Sequence, residues 1–309
     1  MKTAFITHSD CLSHLTPSGH PENSDRLAVI INRLSGADFR DLKKLKAPLG
    51  KIVDICRAHP LEHIKKIQRL VPKEGLSRID GDTFLANGSF RAALRGVGAV
   101  TKAIDLVLAK KYKNVFCATR PPGHHAEKKQ AMGFCLLGNI SIGAKYLLEK
   151  HNFNKVAIVD FDVHHGNGTQ DIVWDEGRAL FISMHQMPLF PGTGSSSEIG
   201  ERNNVLNIPL KEGSDGAYAT NILKTVVLPR LKLFKPEFIL ISAGFDAHKN
   251  DPLANLNWTT KDFGKITRLL LTAAGTLCNN RVVSSLEGGY NLDALKDSVA
   301  IHVKSLMEA

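Results

Sequence analysis

Three stretches of the sequence place acids and imidazoles at spacings that suit metal and proton chemistry. They are Arg120-Pro121-Pro122-Gly123-His124-His125, Asp160-Phe161-Asp162-Val163-His164-His165-Gly166-Asn167, and Gly244-Phe245-Asp246-Ala247-His248. A fourth, Glu287-Gly288-Gly289-Tyr290, ends in a tyrosine after two glycines. Alternate side chains of an extended chain share a face, so Asp160, Asp162 and His164 would point together. Two carboxylates and an imidazole in an apolar interior are costly unless a cation sits between them. With Asp246 from another segment, Asp162, His164 and Asp246 make three N/O ligands with a position left open. That is the count of a catalytic zinc site, whereas structural zinc sites are closed and usually rich in Cys. Any one of these residues alone reads more simply as a turn or a helix cap. Their concurrence favours a site.

His124 and His125, on a proline-stiffened loop, suit general acid–base work. A histidine paired with Asp160 would keep its imidazolium. One paired with Asn167 would stay neutral and be the better base. The Gly288-Gly289 pair would let the Tyr290 hydroxyl swing toward a polarised carbonyl as a hydrogen-bond donor.

The elements that position these groups are legible as apolar runs at residues 3–7, 114–119, 155–162, 179–184, 204–208, 237–243 and 281–286. Several are continuously apolar, as strands buried on both faces of a parallel sheet are. Helical stretches lie between them. Ser24 or Asp25 is the expected cap of a helix through Leu34, with Gly36 just beyond it, and Asn87-Gly88-Ser89 opens a long helix ending at Lys110-Lys111. Thr259 or Thr260 and Asn291 or Asp293 cap two more. Pro229 is expected to kink or end the helical segment 215–234. The alternation predicts one α/β domain over residues 1–309, a mainly parallel sheet flanked by helices, with chemistry at the carboxyl ends of the strands.

The 309 residues, 43% apolar and 23% charged, exclude a disordered chain and a disulfide-dependent miniprotein. No apolar run approaches the roughly 18 residues of a membrane span, so no membrane partner is expected. The five cysteines are scattered without a Cys-x-x-Cys, and the first residues lack a secretory apolar stretch. A reduced, cytoplasmic setting follows as an expectation. Lys+Arg 40 against Asp+Glu 30 leaves +10, but the cations lie in small groups without a basic tail or Cys/His finger. No specific nucleic-acid partner is expected.

Taken together, RPPGHHA (120–126), DFDVHHGNGTQ (160–170), FPGTG (190–194), GFDAHKNDPL (244–253) and LEGGYNL (286–292) resemble the motifs of histone-deacetylase-family amidohydrolases. The similarity is to the class II deacetylases and the bacterial deacetylase-like and acetylpolyamine amidohydrolases, which share the arginase/deacetylase fold. It extends from His20-Pro21-Glu22 to Tyr290-Asn291-Leu292. The resemblance implies one zinc on Asp162, His164 and Asp246, a ligand set that would also suit Fe(II). It implies His124 paired with Asp160, His125 as general base with the class II residue Asn167 behind it, and Tyr290 as carbonyl polariser. Gly133, Phe134 and Phe190 would line an acyl-lysine channel, and Asp82 would hold the substrate backbone. Leu253 stands where polyamine-selective relatives can carry Glu. A structural potassium would sit on the backbone carbonyls of Asp160, Asp162, His164 and Met184 with the Asp160 and Ser183 side chains. One departure is Gly138, where relatives usually carry Asn.

The partner so implied is an acetylated lysine in a protein or peptide, then a small acetylated amine such as a polyamine. For such a cation, Glu22, Asp82 and Glu287 are expected to offset the basic surface. A non-catalytic acyl-lysine binder is the alternative from another class. A two-metal ureohydrolase shares the fold, but Val163 and His165 flank His164 where further aspartates are needed. An oligomer is compatible with all of these.

Overall fold

The computed structural model describes residues 2–309. Its strands are β1 (Ala4–Thr7), β2 (Lys43–Lys46), β3 (Ser77–Arg78), β4 (Phe84–Leu85), β5 (Asn114–Cys117), β6 (Val156–Asp160), β7 (Ala179–Gln186), β8 (Val205–Leu210), β9 (Phe238–Ala243) and β10 (Val282–Leu286). β3 and β4 form a small antiparallel ribbon. The other eight form one parallel sheet in the order β2-β1-β5-β10-β9-β6-β7-β8. The continuous apolar runs have a direct cause here. Ala4, Ile6, Val115, Ile158, Leu240 and Val283 enter the core on one face of the sheet. Phe5, Phe116, Val159, Ile241 and Val282 enter the core on the other.

The helices are α1 (Ser24–Arg33), α2 (Ile52–Ile55), α3 (Leu61–Leu70), α4 (Ser89–Leu108), α5 (Asn139–Glu149), α6 (Asn167–Val173), α7 (Gly216–Ile222), α8 (Leu228–Phe234), α9 (Thr260–Cys278) and α10 (Leu292–Glu308). α1, α9 and α10 cover one face through Leu27, Ile30, Ile266, Leu270, Leu295 and Val299. α3, α4 and α5 cover the other through Ile64, Ile67, Val97, Ile104, Ile140 and Leu147.

At four places the structure corrects or adds to the sequence reading. β2 carries Lys43, Lys44 and Lys46 exposed on a sheet edge, so it has no apolar signature, and its lysines discourage further pairing. The cap of α1 is Asn23, whose side chain accepts the Asp25 N–H at 3.0 Å, in place of Ser24 or Asp25. Pro229 does not end its helix. A π-helical turn, Leu223–Val227, carries α7 into α8, so the segment stays helical but changes its winding just before the proline. At Gly138, which precedes α5 without a side-chain cap, the Nε2 of His59 accepts the backbone N–H at 2.9 Å. A Cβ there would lie 3.1 Å from Ile172 Cδ1, tighter than ordinary contact, and 3.4 Å from that nitrogen.

The sheet order decides what meets. β5, β10, β9 and β6 are consecutive neighbours, and all run the same way. The four polar motifs follow these four strands, so they emerge at one edge of the sheet.

Candidate active site

β6 ends at Asp160, so Asp162 and His164 lie in the loop beyond it, and strand alternation is not what gathers them. The loop folds on its own carboxylates. Asp160 Oδ1 accepts the Asp162 N–H at 3.0 Å, and Asp162 Oδ1 accepts the His164 N–H at 2.9 Å. Two neighbouring segments tie in. The Val163 N–H donates to Asp246 Oδ1 at 2.9 Å and the Gly288 N–H to Asp162 Oδ2 at 2.7 Å.

His164 Nδ1 thereby lies 3.1 Å from Asp162 Oδ1 and 3.2 Å from Asp246 Oδ2. One ligand atom from each of Asp162, His164 and Asp246 lies within 4.8 Å of the others, and all three residues are buried. The surrounding glycines are there for space. A Cβ on Gly288 would lie 2.0 Å from Asp246 Oδ2, and one on Gly244 would lie 2.1 Å from Asp162 Oδ2. Burial opposes charge on His164, yet its bonds to Asp162 and Asp246 raise it to about 10. Two buried carboxylates thus demand a cation, and this N/O donor set fits a divalent metal.

The paired histidines have opposite surroundings. His124 Nδ1 is 3.0 Å from Asp160 Oδ2. His125 Nδ1 is 2.8 Å from Asn167 Oδ1, while the Asn167 amide donates to Glu127 Oε1 at 2.8 Å. That second bond turns the Asn167 oxygen toward His125, so Nδ1 carries the proton and Nε2 is free to accept one. Burial works against charge on His124, but Asp162 and Asp160 raise it to about 10. Burial, then the neighbouring His124 and His164, push His125 well below the ordinary value. The two rings, with centroids 4.0 Å apart, therefore differ in protonation.

Glu287, expected as a local acid countering the basic surface, is instead buried in this centre, where its Oε2 accepts the N–H groups of Gly123 at 2.7 Å and His124 at 3.1 Å. Burial pushes its carboxyl up to about 7. Glu22 is likewise interior, paired with Arg26 and Arg120. The sequence signal for Glu287 was its place just past β10, next to Gly288, which lies against the Asp162 and Asp246 carboxylates.

The backbone of the tyrosine loop is tied to its surroundings. Arg26 donates from Nε to the Gly289 carbonyl and from a terminal nitrogen to the Glu287 carbonyl, both at 2.6 Å. The Tyr290 N–H donates to Asp251 Oδ2 at 2.7 Å. Gly289, at φ +118°, needs its freedom for this bend. The Tyr290 ring packs beneath the Arg26 guanidinium, 4.8 Å from its centroid, and edge-on to Phe134. Burial keeps the phenol protonated, its pKa well above the ordinary value, so it is available as a donor.

Above these groups opens a cleft of about 220 Å³, lined by Pro21, Asp82, His125, Gly133, Phe134, His164, Leu189, Phe190, Leu253 and Tyr290. Every expected substrate residue (Asp82, Gly133, Phe134, Phe190 and Leu253) borders it. Pro21 and Leu189 are additions that their motifs did not single out. His124, Asp160 and Asn167 stand behind the lining. Gly133 lies against His125, where a Cβ would approach the ring Cδ2 to 2.6 Å. Ser183 is the cross-strand neighbour of Asp160, and its hydroxyl faces His185 Nδ1 at 2.9 Å. Met184 is buried in the core beside it.

Residues 20–306 match the family described as histone deacetylase domain. A probable deacetylase of Archaeoglobus fulgidus is 36% identical, the alignment covering 95% of this chain and 82% of the relative. A histone deacetylase-like amidohydrolase of Pseudomonas aeruginosa is 36% identical over 89% of this chain and 73% of its own. The crystal structure of the HDA15 HD domain superposes with a TM-score of 0.94 at 32% identity, covering 99% of this chain and 88% of that one. With its parallel α/β fold and the convergence of these motifs at one sheet edge, the chain belongs to the histone deacetylase family.

Proposed function

We propose that this chain is a zinc-dependent amidohydrolase that removes acetyl or other short acyl groups from the ε-amine of lysine in proteins or peptides. The observation that carries this reading is the split histidine pair beside a three-ligand cradle at the floor of a narrow cleft. Zinc held by Asp162, His164 and Asp246 would polarise the acyl carbonyl and bring the pKa of a water toward about 7.

The chain's own residues do the rest. His125, its Nδ1 proton fixed by Asn167, takes the proton of the attacking water on Nε2. Tyr290 donates its hydroxyl proton in a hydrogen bond to the carbonyl oxygen as negative charge develops there. His124, charged beside Asp160, steadies that charge, and a histidine proton passes to the leaving amine, giving a free lysine and a carboxylate. Gly133, Phe134 and Phe190 enclose the acyl-lysine stem, and Asp82 at the rim takes the substrate backbone. A potassium ion on Asp160, Ser183 and the Met184 carbonyl would brace the ligand loop. A reduced, cytoplasmic setting belongs to this reading, in which the five scattered cysteines stay as thiols.

Acetylated polyamines are the second reading, favoured by the paired acids Asp80 and Asp82 near the mouth. The apolar Leu253 on the wall places that reading second. The test is kcat/KM of metal-replete protein on an acetyl-lysine peptide, longer acyl-lysines and acetylputrescine, with and without a chelator. Preference for the peptide, abolished by chelation and restored by zinc, is expected. Preference for the diamine reverses the order, and amidase activity indifferent to chelation rejects the metal-dependent reading.

A further inference from the structure

We propose that Asp251 is a positioning residue that couples the substrate-facing wall to the tyrosine. This inference rests on the reading of Tyr290 as the carbonyl donor. Asp251 does not itself line the cleft, but both residues it holds do. Its Oδ1 accepts the N–H of Leu253 at 3.1 Å, and its Oδ2 accepts the N–H of Tyr290 at 2.7 Å, with Asn291 more distant at 3.4 Å. The carboxyl is buried, and its own N–H is anchored on the His248 carbonyl at 2.8 Å.

An aspartate at a turn commonly accepts the amide two residues on, and the Leu253 bond is of that kind. The bond to Tyr290 is not. It spans 39 residues of sequence and joins the loop after β9 to the loop after β10. At 2.7 Å this bond fixes the height of the tyrosine backbone against the wall. Arg26 and Asp162 hold the preceding residues of the loop at Glu287, Gly289 and Gly288. Loss of Asp251 would therefore leave the loop in place and release the amide of Tyr290 itself. Displacement of a reacting group by about 1 Å can cost on the order of 100-fold, so the tyrosine needs this restraint.

The decisive substitution is Asp251→Asn. Asparagine serves a turn as well as aspartate, but the two N–H groups address different oxygens of the carboxyl, so an amide oxygen can take one of them while its nitrogen faces the other. A mere turn cap would leave kcat unchanged. Positioning predicts that kcat on an acetyl-lysine peptide falls about 10- to 100-fold, with KM within about 2-fold and metal content unaltered. In a Tyr290→Phe background the same change should add almost nothing, because the hydroxyl it positions is gone. Hydrogen exchange supplies a readout independent of turnover. Backbone amides near 290 should exchange about 10-fold faster in the variant while those of α10 stay protected.

Should Asp251→Asn fail to fold, Asp251→Ser retains a hydroxyl for the Leu253 amide and is expected to behave likewise. Unchanged exchange near 290, or a kcat loss that is fully additive with Tyr290→Phe, overturns the proposal. A wild-type protein inactive on every acyl-lysine would sink the functional reading instead. The exchange measurement would still decide whether Asp251 restrains Tyr290.

Discussion

A single oxygen of Glu287 accepts the backbone N–H of His124 at 3.1 Å and that of Gly123 at 2.7 Å, so one buried carboxylate sets the height of the histidine loop. The other oxygen lies 3.4 Å from the Ser242 hydroxyl. Because one acceptor atom serves both amides, Glu287→Gln is expected to keep wild-type melting temperature and activity within a few-fold. Glu287→Leu strands two buried N–H groups, each at about 1–3 kcal/mol, and should lower both. A glutamine variant as impaired as the leucine one would mean that the charge, and not the bonding, is what the loop requires.

Tyr290 is held by its backbone and by ring packing, so Tyr290→Phe removes the hydroxyl while leaving the contacts with Arg26 and Phe134 in place. Loss of one oxyanion donor typically lowers turnover by about 10²–10³. Metal analysis and steady-state kinetics on the purified variant should show full metal content and that loss. Wild-type turnover in the phenylalanine variant would remove the tyrosine from the chemistry.

Acid should destabilise the fold through histidines remote from the cleft. Burial holds His302 down at about 3 and His59 at about 4, against an ordinary 6.5. His302 sits among Phe116, Phe161 and Phe245 with its nitrogens on Thr267 and Ser284. A group with a depressed folded pKa adds stability that is complete above its unfolded value and erodes below it. Urea unfolding is therefore expected to show the contribution of these two histidines complete above about pH 6.5 and falling as pH drops toward about 4. His302→Gln, which cannot titrate, should lose less over that range than the wild type. A parallel loss in both proteins would mean that His302 is not held neutral.

Legibility from sequence differed by residue and had physical reasons. β9 and β6 were readable because strands buried on both faces must be apolar throughout, and Phe238-Ile239-Leu240-Ile241 has no other good use. Asp162, His164 and Asp246 were readable because chemistry constrains residue type, and few local patterns combine such groups. β2 was hidden because an exposed edge strand is held by backbone bonds to β1 and is free to carry lysines.

What the sequence determined by itself was therefore the set of candidate ligand and acid–base side chains and the apolar strands that end beside them. Which of those strands are neighbours was decided only by the tertiary structure, through the order β5-β10-β9-β6. The same holds for Glu287 beneath His124, Asp251 beneath Tyr290, and Arg26 across the glycine loop. Each of these bonds ends on a backbone amide or carbonyl far away in the chain. Every residue but proline offers the same amide, so nothing in residue type marks which one will be taken.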